Sequence, residues 1–206
     1  MKKKAHQSKN INTYFFIIEQ IDICSFFNLN FMIEKEHQEL IDSYIENIKK
    51  FIVDAGGLFP HLTIFADNKD PKKEEKKALI HIPIPDSYMQ SDAEKDSLVD
   101  EIFPFIYEKV KQKFTPYGIA WASEAWMRIV TEKQMARFKE LPPNKEVVVI
   151  SIDTDYKCET IIYELKRTGQ CINSEGDLID QIQLEKLEQS AGTSGRFVGL
   201  YQKLKV

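Results

Sequence analysis

Two apolar, β-branched segments in the second half of the chain place the tightest constraint on its fold. They are EVVVISIDT at 146–154 and ETIIYELKR at 159–167, and only DYKC lies between them. Both show strand-like alternation of apolar and polar residues. Strands joined by so short a connection pair as antiparallel neighbours, because a parallel pair needs a crossover of about a dozen residues or more. The sequence therefore predicts an antiparallel hairpin here.

A second hairpin is predicted earlier in the chain. LFPHLTIFA at 58–66 and ALIHIPIP at 78–85 have strand character, and the charged segment DNKDPKKEEKK at 67–77 connects them. Pro83 and Pro85 carry no amide hydrogen, so the second strand of this pair belongs at an edge of the sheet or ends at these residues.

Two helices are predicted from apolar residues at helical spacing. The first covers residues 34–54 and is followed by Gly56 and Gly57, which tolerate the left-handed backbone that ends many helices. The second covers 92–114, with Ser91 or Asp92 as its N-cap, and Pro104 should bend or split it.

The remaining segments complete the predicted fold. We expect a strand over GIAWASEAWMRIV (118–130), a short helix over TEKQMARFKEL (131–141), and a last strand over RFVGLYQKL (196–204). Residues 171–190 are ambiguous between loop and extended structure. Hairpin strands with few helices between them indicate an α+β domain, with a mostly antiparallel sheet and helices packed on one face.

The first 31 residues predict no secretory leader and no membrane span. The apolar run YFFII ends at Glu19, and Asp22 follows, whereas a signal sequence needs about 7–15 apolar residues in a row. We interpret residues 1–31 as an N-terminal extension outside the fold, and Met32 as the start of a single domain over 32–206. The alternative is a short apolar arm that docks on the body or on a partner.

Composition and charge narrow the classes of function. The net charge is −4, so a phosphate backbone is a poor partner and nucleic-acid binding is disfavoured. The three cysteines, Cys24, Cys158 and Cys171, form no C-x-x-C pattern, so we expect no disulfide framework and no zinc site. The sequence predicts a soluble cytoplasmic protein without a metal or cofactor.

The strand 118–130 carries the candidate binding residues. Because alternate residues of a strand share a face, Trp121 belongs to one face and Glu124, Trp126 and Arg128 to the other. One interpretation is a central strand whose solvated face makes weak ion pairs with its neighbours. The other is a shallow polar site, in which Trp126 packs against a ligand or partner while Glu124 and Arg128 fix its polarity.

The motif SEAWM, preceded by GGLFPHLTIF and followed by PPNKEVVVISID, resembles a group of small uncharacterised proteins of bacteriophages and bacteria. The resemblance covers roughly residues 32–155. It implies a start near Met32 and a phage or mobile-element source, and it brings no known activity.

Two histidines are the only other candidate site residues. His61 and Thr63 form an H-x-T pattern, which two-histidine phosphoesterases use twice, with each hydroxyl holding phosphate. The second copy is incomplete, since Pro83 stands where the hydroxyl should follow His81. We therefore predict a non-enzymatic binding or accessory protein that uses Glu124, Trp126 and Arg128. The alternatives are a small phosphoesterase-like hydrolase using His61, His81 and Glu124, and a structural component of a virion.

Overall fold

The protein is described by a computed structural model. It describes residues 35–70, 72, 76–128, 134, 137, 140–173, 175–187 and 197–205. The predicted extension 1–31 lies outside these residues, as does most of the predicted short helix at 131–141.

A six-stranded antiparallel sheet dominates the fold. Its spatial order is β2-β1-β3-β4-β5-β6, and every neighbouring pair is antiparallel. The strands are β1 (His61–Asn68), β2 (Lys77–Pro83), β3 (Phe114–Met127), β4 (Lys145–Thr154), β5 (Cys158–Ile172) and β6 (Leu178–Lys186). Both predicted hairpins are confirmed, and β2 with its Pro83 forms one edge of the sheet.

The first helix, α1 (Lys35–Ala55), follows the predicted bounds to within a residue. It ends at Gly56, whose φ of +71° is the left-handed conformation that glycine adopts without a steric penalty. The chain then passes through Gly57 and Leu58 and enters β1.

The second predicted helix is a helical segment interrupted by a wider turn. It consists of α2 (Asp92–Ser97), a π-helical turn (Leu98–Ile102) and α3 (Phe103–Lys111). A capping box between Ser91 and Glu94 begins it. The amide of Phe103 bonds to the carbonyl of Leu98, five residues back. This wider turn precedes Pro104, which has no amide for a regular helical bond, and it explains how the helix continues past the proline.

The helices contact both faces of the sheet, so the expected single-faced packing is not confirmed. One core lies under α1 and includes Ala120 and Ala122 of β3. The other lies under α3 and the C-terminal helix, and it includes Ile119 and Trp121 of the same strand. The central strands are apolar on both sides, and two layers of helix are needed to cover them.

The C-terminal strand predicted over 196–204 is wrong. Residues 197–199 form a turn, and α4 (Leu200–Lys205) follows, with Leu200 and Tyr201 buried against the α3 side of the sheet. Gly199 has a φ of +67°, which no extended strand uses. The ambiguous residues 171–190 include the end of β5 and all of β6. The pairing of these two strands extends as far as Ile172 and Leu178.

Candidate functional site

The alternation predicted for the strand 118–130 is present in β3. Trp121 points into the α3 core with 3% of its surface exposed, and its indole stacks on Phe197 at 4.0 Å between ring centroids. Glu124 and Trp126 lie on the opposite face and are both half-buried. Arg128 follows the last residue of the strand, Met127, so the predicted set of three residues is only partly on the strand.

Glu124 is held by two parts of the protein. Its Oε1 accepts a hydrogen bond of 2.6 Å from the backbone amide of Leu58, in the loop after α1. Its Oε2 lies 3.4 Å from a guanidinium nitrogen of Arg167 on β5. The carboxylate therefore fastens the α1–β1 loop to the sheet, which is a structural role as well as a contribution to surface polarity.

Arg167 connects this loop to three strands. Its guanidinium makes two hydrogen bonds to Glu146, of 2.8 and 3.1 Å, and one of 2.6 Å to Asp180. It also donates to the carbonyl oxygen of Gly56 at 3.1 Å. The hydrogen bonds to Glu146 are the main cause of a raised pKa for Arg167, so the side chain stays charged. A forked guanidinium suits several oxygen acceptors at once.

Trp126 lies beside this network. It is the direct cross-strand partner of Glu146, so the two side chains are neighbours on one face. We use the name Trp126 surface for five residues of this face, namely Glu124, Trp126, Glu146, Arg167 and Asp180. Three carboxylates meet one guanidinium here, and an excess of one negative charge remains even when Arg128 is counted.

Sequence reasoning missed Glu146, Arg167 and Asp180. The hairpin that holds Glu146 and Arg167 was predicted, but its register was not. Asp153 pairs with Cys158, and this register brings Arg167 diagonally within reach of Glu146. The short connection DYKC was the available signal, because loop length constrains hairpin register. Asp180 lies in a segment that the sequence left ambiguous.

The structure brings the two candidate histidines together on the α1 side. The ring centroids of His61 and His81 are 6.2 Å apart, and the Tyr44 ring of α1 lies near both. Thr63 and His81 are cross-strand partners, and their Oγ1 and Nδ1 atoms are 2.9 Å apart. Burial lowers the pKa of both histidines, so both imidazoles are neutral at pH 7.

The H-x-T pattern does not place its hydroxyl where phosphate has access. Thr63 is 0% exposed, and its oxygen is bonded to His81. Both oxygens of Glu124 are engaged, one by the amide of Leu58 and the other by the guanidinium of Arg167.

Among the residues that the structure describes, no cluster of histidine, cysteine and acidic side chains has the arrangement of a metal site. Cys158 and Cys171 are free thiols, and Cys24 lies outside the described residues. Within the described part of the chain, no helix has the length and apolar character to cross a membrane.

Comparisons with protein-family models, curated proteins and solved structures gave no match.

Proposed function

We propose that this protein is a non-enzymatic binding protein, and that the Trp126 surface receives a basic segment of a protein partner. The observation that carries the proposal is the pairing of Trp126 with Glu146 on a face with excess negative charge. Arginine and lysine side chains bind both to aromatic faces and to carboxylates. The net charge of −4 attracts a basic partner at longer range.

The ion network makes this surface rigid before a partner arrives. Arg167 and Glu124 join β3, β4, β5, β6 and the α1–β1 loop through direct hydrogen bonds. A surface whose side chains are already ordered loses less conformational entropy on binding. Trp126 then supplies the large contact area that residues of this type contribute at protein interfaces.

Titration with a hexa-arginine peptide tests the proposal. We expect Trp126→Ala to weaken binding about tenfold, which corresponds to about 1.4 kcal/mol, the order of a cation–π contact. Phe105→Ala is the matched control, since Phe105 is 64% exposed on α3 at the other side of the sheet. Calorimetry measures the affinities, and circular dichroism checks that each variant is folded.

Three results would contradict the proposal. They are an equal loss of affinity in both variants, equal binding of a hexaglutamate peptide, and unfolding of Trp126→Ala, which would assign Trp126 to the core. Glu146→Gln retains the indole and removes one charge, and we expect it to weaken peptide binding as well. This second variant therefore tests the contribution of the surface charge without any change to Trp126.

A second candidate function, a small hydrolase, is favoured by the placement of the two histidines. His61 and His81 lie on one face, and the ring of Tyr44 from α1 lies near both. Hydrolysis of 4-nitrophenyl acetate, compared between the wild type and His81→Gln, tests this candidate. Equal rates would exclude it for ester substrates.

A further inference from the structure

One edge of the sheet carries a run of residues that are uncharged at neutral pH. β2 is the outermost strand on the side away from β6, and among the described strands it pairs with β1 alone. Its residues 78–82 are ALIHI, in which burial lowers the pKa of His81. The charged residue of β2 is Lys77 at its start, and it is ion-paired with Asp67 at 3.4 Å. Edge strands are commonly protected from other chains by charged side chains, and this edge lacks that protection along its centre.

Two backbone bonds show which residues of β2 offer hydrogen bonds to a new neighbour. The amide of Ile84 donates to the carbonyl of Pro60 at 2.9 Å, and the amide of Asn68 donates to the carbonyl of Lys76 at 2.7 Å. Both pairs continue the register of β1 and β2. Hydrogen-bonded and non-hydrogen-bonded pairs alternate along an antiparallel ladder. The even-numbered residues of β2 therefore bond to β1, and the odd-numbered residues point their backbone groups to the open edge.

The side chains of β2 bring both hydrophobic cores to this edge. Leu79 packs against the core under α1, whereas Ile80 and Ile82 pack against the core under α3. These three residues and Ala78 are only half-buried, so apolar surface remains uncovered on both faces of the strand. A strand that covers this edge must present apolar groups on both of its own faces, and β2 itself is such a strand.

We propose that β2 pairs with β2 of a second copy of this chain, in antiparallel orientation, about a two-fold axis at Ile80. In this register Leu79 of each copy lies opposite His81 of the other, and the backbone groups of both residues point to the shared edge. Each such pair exchanges both of its amide–carbonyl bonds. Lys77 lies opposite Pro83, so the amide that proline lacks removes one bond at each end of the ladder.

This register satisfies the edge better than its alternatives. An axis between two residues would set outward-pointing backbone groups opposite inward-pointing ones, and an axis at Leu79 or His81 would leave part of β2 unpaired. The axis at Ile80 pairs the whole of β2 with itself and brings no two charged side chains into opposition. Residues that face α1 in one copy then adjoin residues that face α1 in the other, since the alternation of side chains is kept.

The interface is small, so the dimer should be weak. Two paired strands of seven residues bury less than the roughly 1,600 Å² of a standard protein interface, and we expect a dissociation constant of about 10–100 µM. Sedimentation equilibrium of the full chain between about 1 and 200 µM should show reversible dimerisation. A chain that stays monomeric throughout this range, as it would if a different segment covered β2, would overturn the proposal.

Ile80→Lys and Ile80→Glu test the position of the axis. Each variant sets two like charges directly opposite each other, on residues whose α-carbons are about 4.5 Å apart, so self-association should weaken at least about tenfold. An equimolar mixture opposes unlike charges and should restore a dimer. Gln183→Lys, an exposed site on the other edge strand, should dimerise like the wild type. A mixture that stays monomeric while circular dichroism shows folded protein would contradict this register.

Ile80→Cys is the milder variant, and it measures the register directly. The α-carbon separation of about 4.5 Å lies within the range of about 4.4–6.8 Å that a disulfide spans. Under mild oxidation, peptide mass spectrometry should find two chains joined to each other at this position. Gln183→Cys is the control, and Cys158 and Cys171 are present in both proteins. Self-crosslinking of Ile80→Cys no faster than that of Gln183→Cys would overturn the proposal.

Discussion

Arg167 is the residue on which the Trp126 surface depends most. Replacing it by alanine leaves Glu124, Glu146 and Asp180 without their shared guanidinium. We expect the free energy of unfolding to fall by about 1–3 kcal/mol, less than for a fully buried pair, because these groups are partly exposed. Urea denaturation measures the change.

Lys166→Ala is the control for this experiment. Lys166 is the chain neighbour of Arg167, and its ion pair with Glu185 is exposed. Its removal should cost about 0–1 kcal/mol. Equal losses for the two variants would mean that the network around Arg167 is no stronger than an ordinary surface pair.

Gly56 combines a left-handed backbone with close packing. A β-carbon at this position would lie 3.0 Å from the β-carbon of Ile179 and 3.0 Å from the amide nitrogen of Asp180. Gly56→Ala should therefore cost more than the roughly 1–2 kcal/mol of a left-handed alanine alone. Gly176 has a φ of +88° with nothing within 4 Å, so Gly176→Ala reports the backbone cost by itself. Thermal denaturation of both variants gives the comparison, and equal destabilisation would contradict crowding at Gly56.

The placement of Trp121 and Glu124 on opposite faces of the sheet was predictable from the sequence, because it depends only on the two-residue period of a strand. The binding partners of Glu124 were not. Leu58 is 66 residues away in the chain and Arg167 is 43 residues away, and both contacts depend on how distant elements meet.

At the scale of elements, the C-terminal segment 197–205, which includes α4, covers Trp121. The segment 197–205 stacks Phe197 on the indole, and the Tyr201 hydroxyl donates to the Pro116 carbonyl at 3.1 Å. We expect a chain ending at residue 196 to lose stability by about 3 kcal/mol or more, since it exposes a core aromatic residue. In a Trp126→Phe background the remaining fluorescence comes from Trp121, and it should shift to longer wavelength. An unshifted spectrum would show that the segment 197–205 does not shield the indole.

The same segment shows why some elements escaped prediction. FVGLYQKL has apolar residues whose spacing fits a strand, and Leu200, Tyr201 and Leu204 fit one side of a helical turn equally well. Packing against Trp121 and β3 decides between them, and that information is not local. The helix 35–55 and the two hairpins were predictable because their periods extend over many residues.

At the scale of the whole molecule, the two histidines make stability depend on pH. Burial lowers the pKa of His61 and His81, so the unfolded chain binds more protons than the folded one just below the ordinary histidine pKa of about 6.5. The contribution of the two histidines to the free energy of unfolding should therefore be fully present above that pKa. It should decrease as the pH falls toward 5. The titratable groups that face this pair are Tyr44 of α1 and the other histidine of the pair.

Denaturant unfolding at several pH values measures this effect. The double variant His61→Gln with His81→Gln is the comparison, and it should flatten the dependence between about pH 5 and 7.5. Burial raises the pKa of Asp153, a shift that acts with the opposite sign at lower pH and remains in both proteins. An identical slope in the two proteins would contradict the assignment to the histidines.

The arrangement of the helices on two sides of one sheet was not predictable from alternation alone. Each central strand has apolar residues on both faces, and which helix covers which face depends on the connections between them.

This double covering limits how the gene for this protein can change. The small side chains of Ala120 and Ala122 pack beneath α1, and the large side chains of Ile119 and Trp121 pack beneath α3. Insertion of a single codon within β3 would exchange the two faces for the residues beyond the insertion, so that large side chains would face α1 and small ones would face α3. Two inserted codons would restore the alternation beyond the insertion. Length variants that survive selection should therefore fall in the connections between strands, and those within β3 should come in pairs.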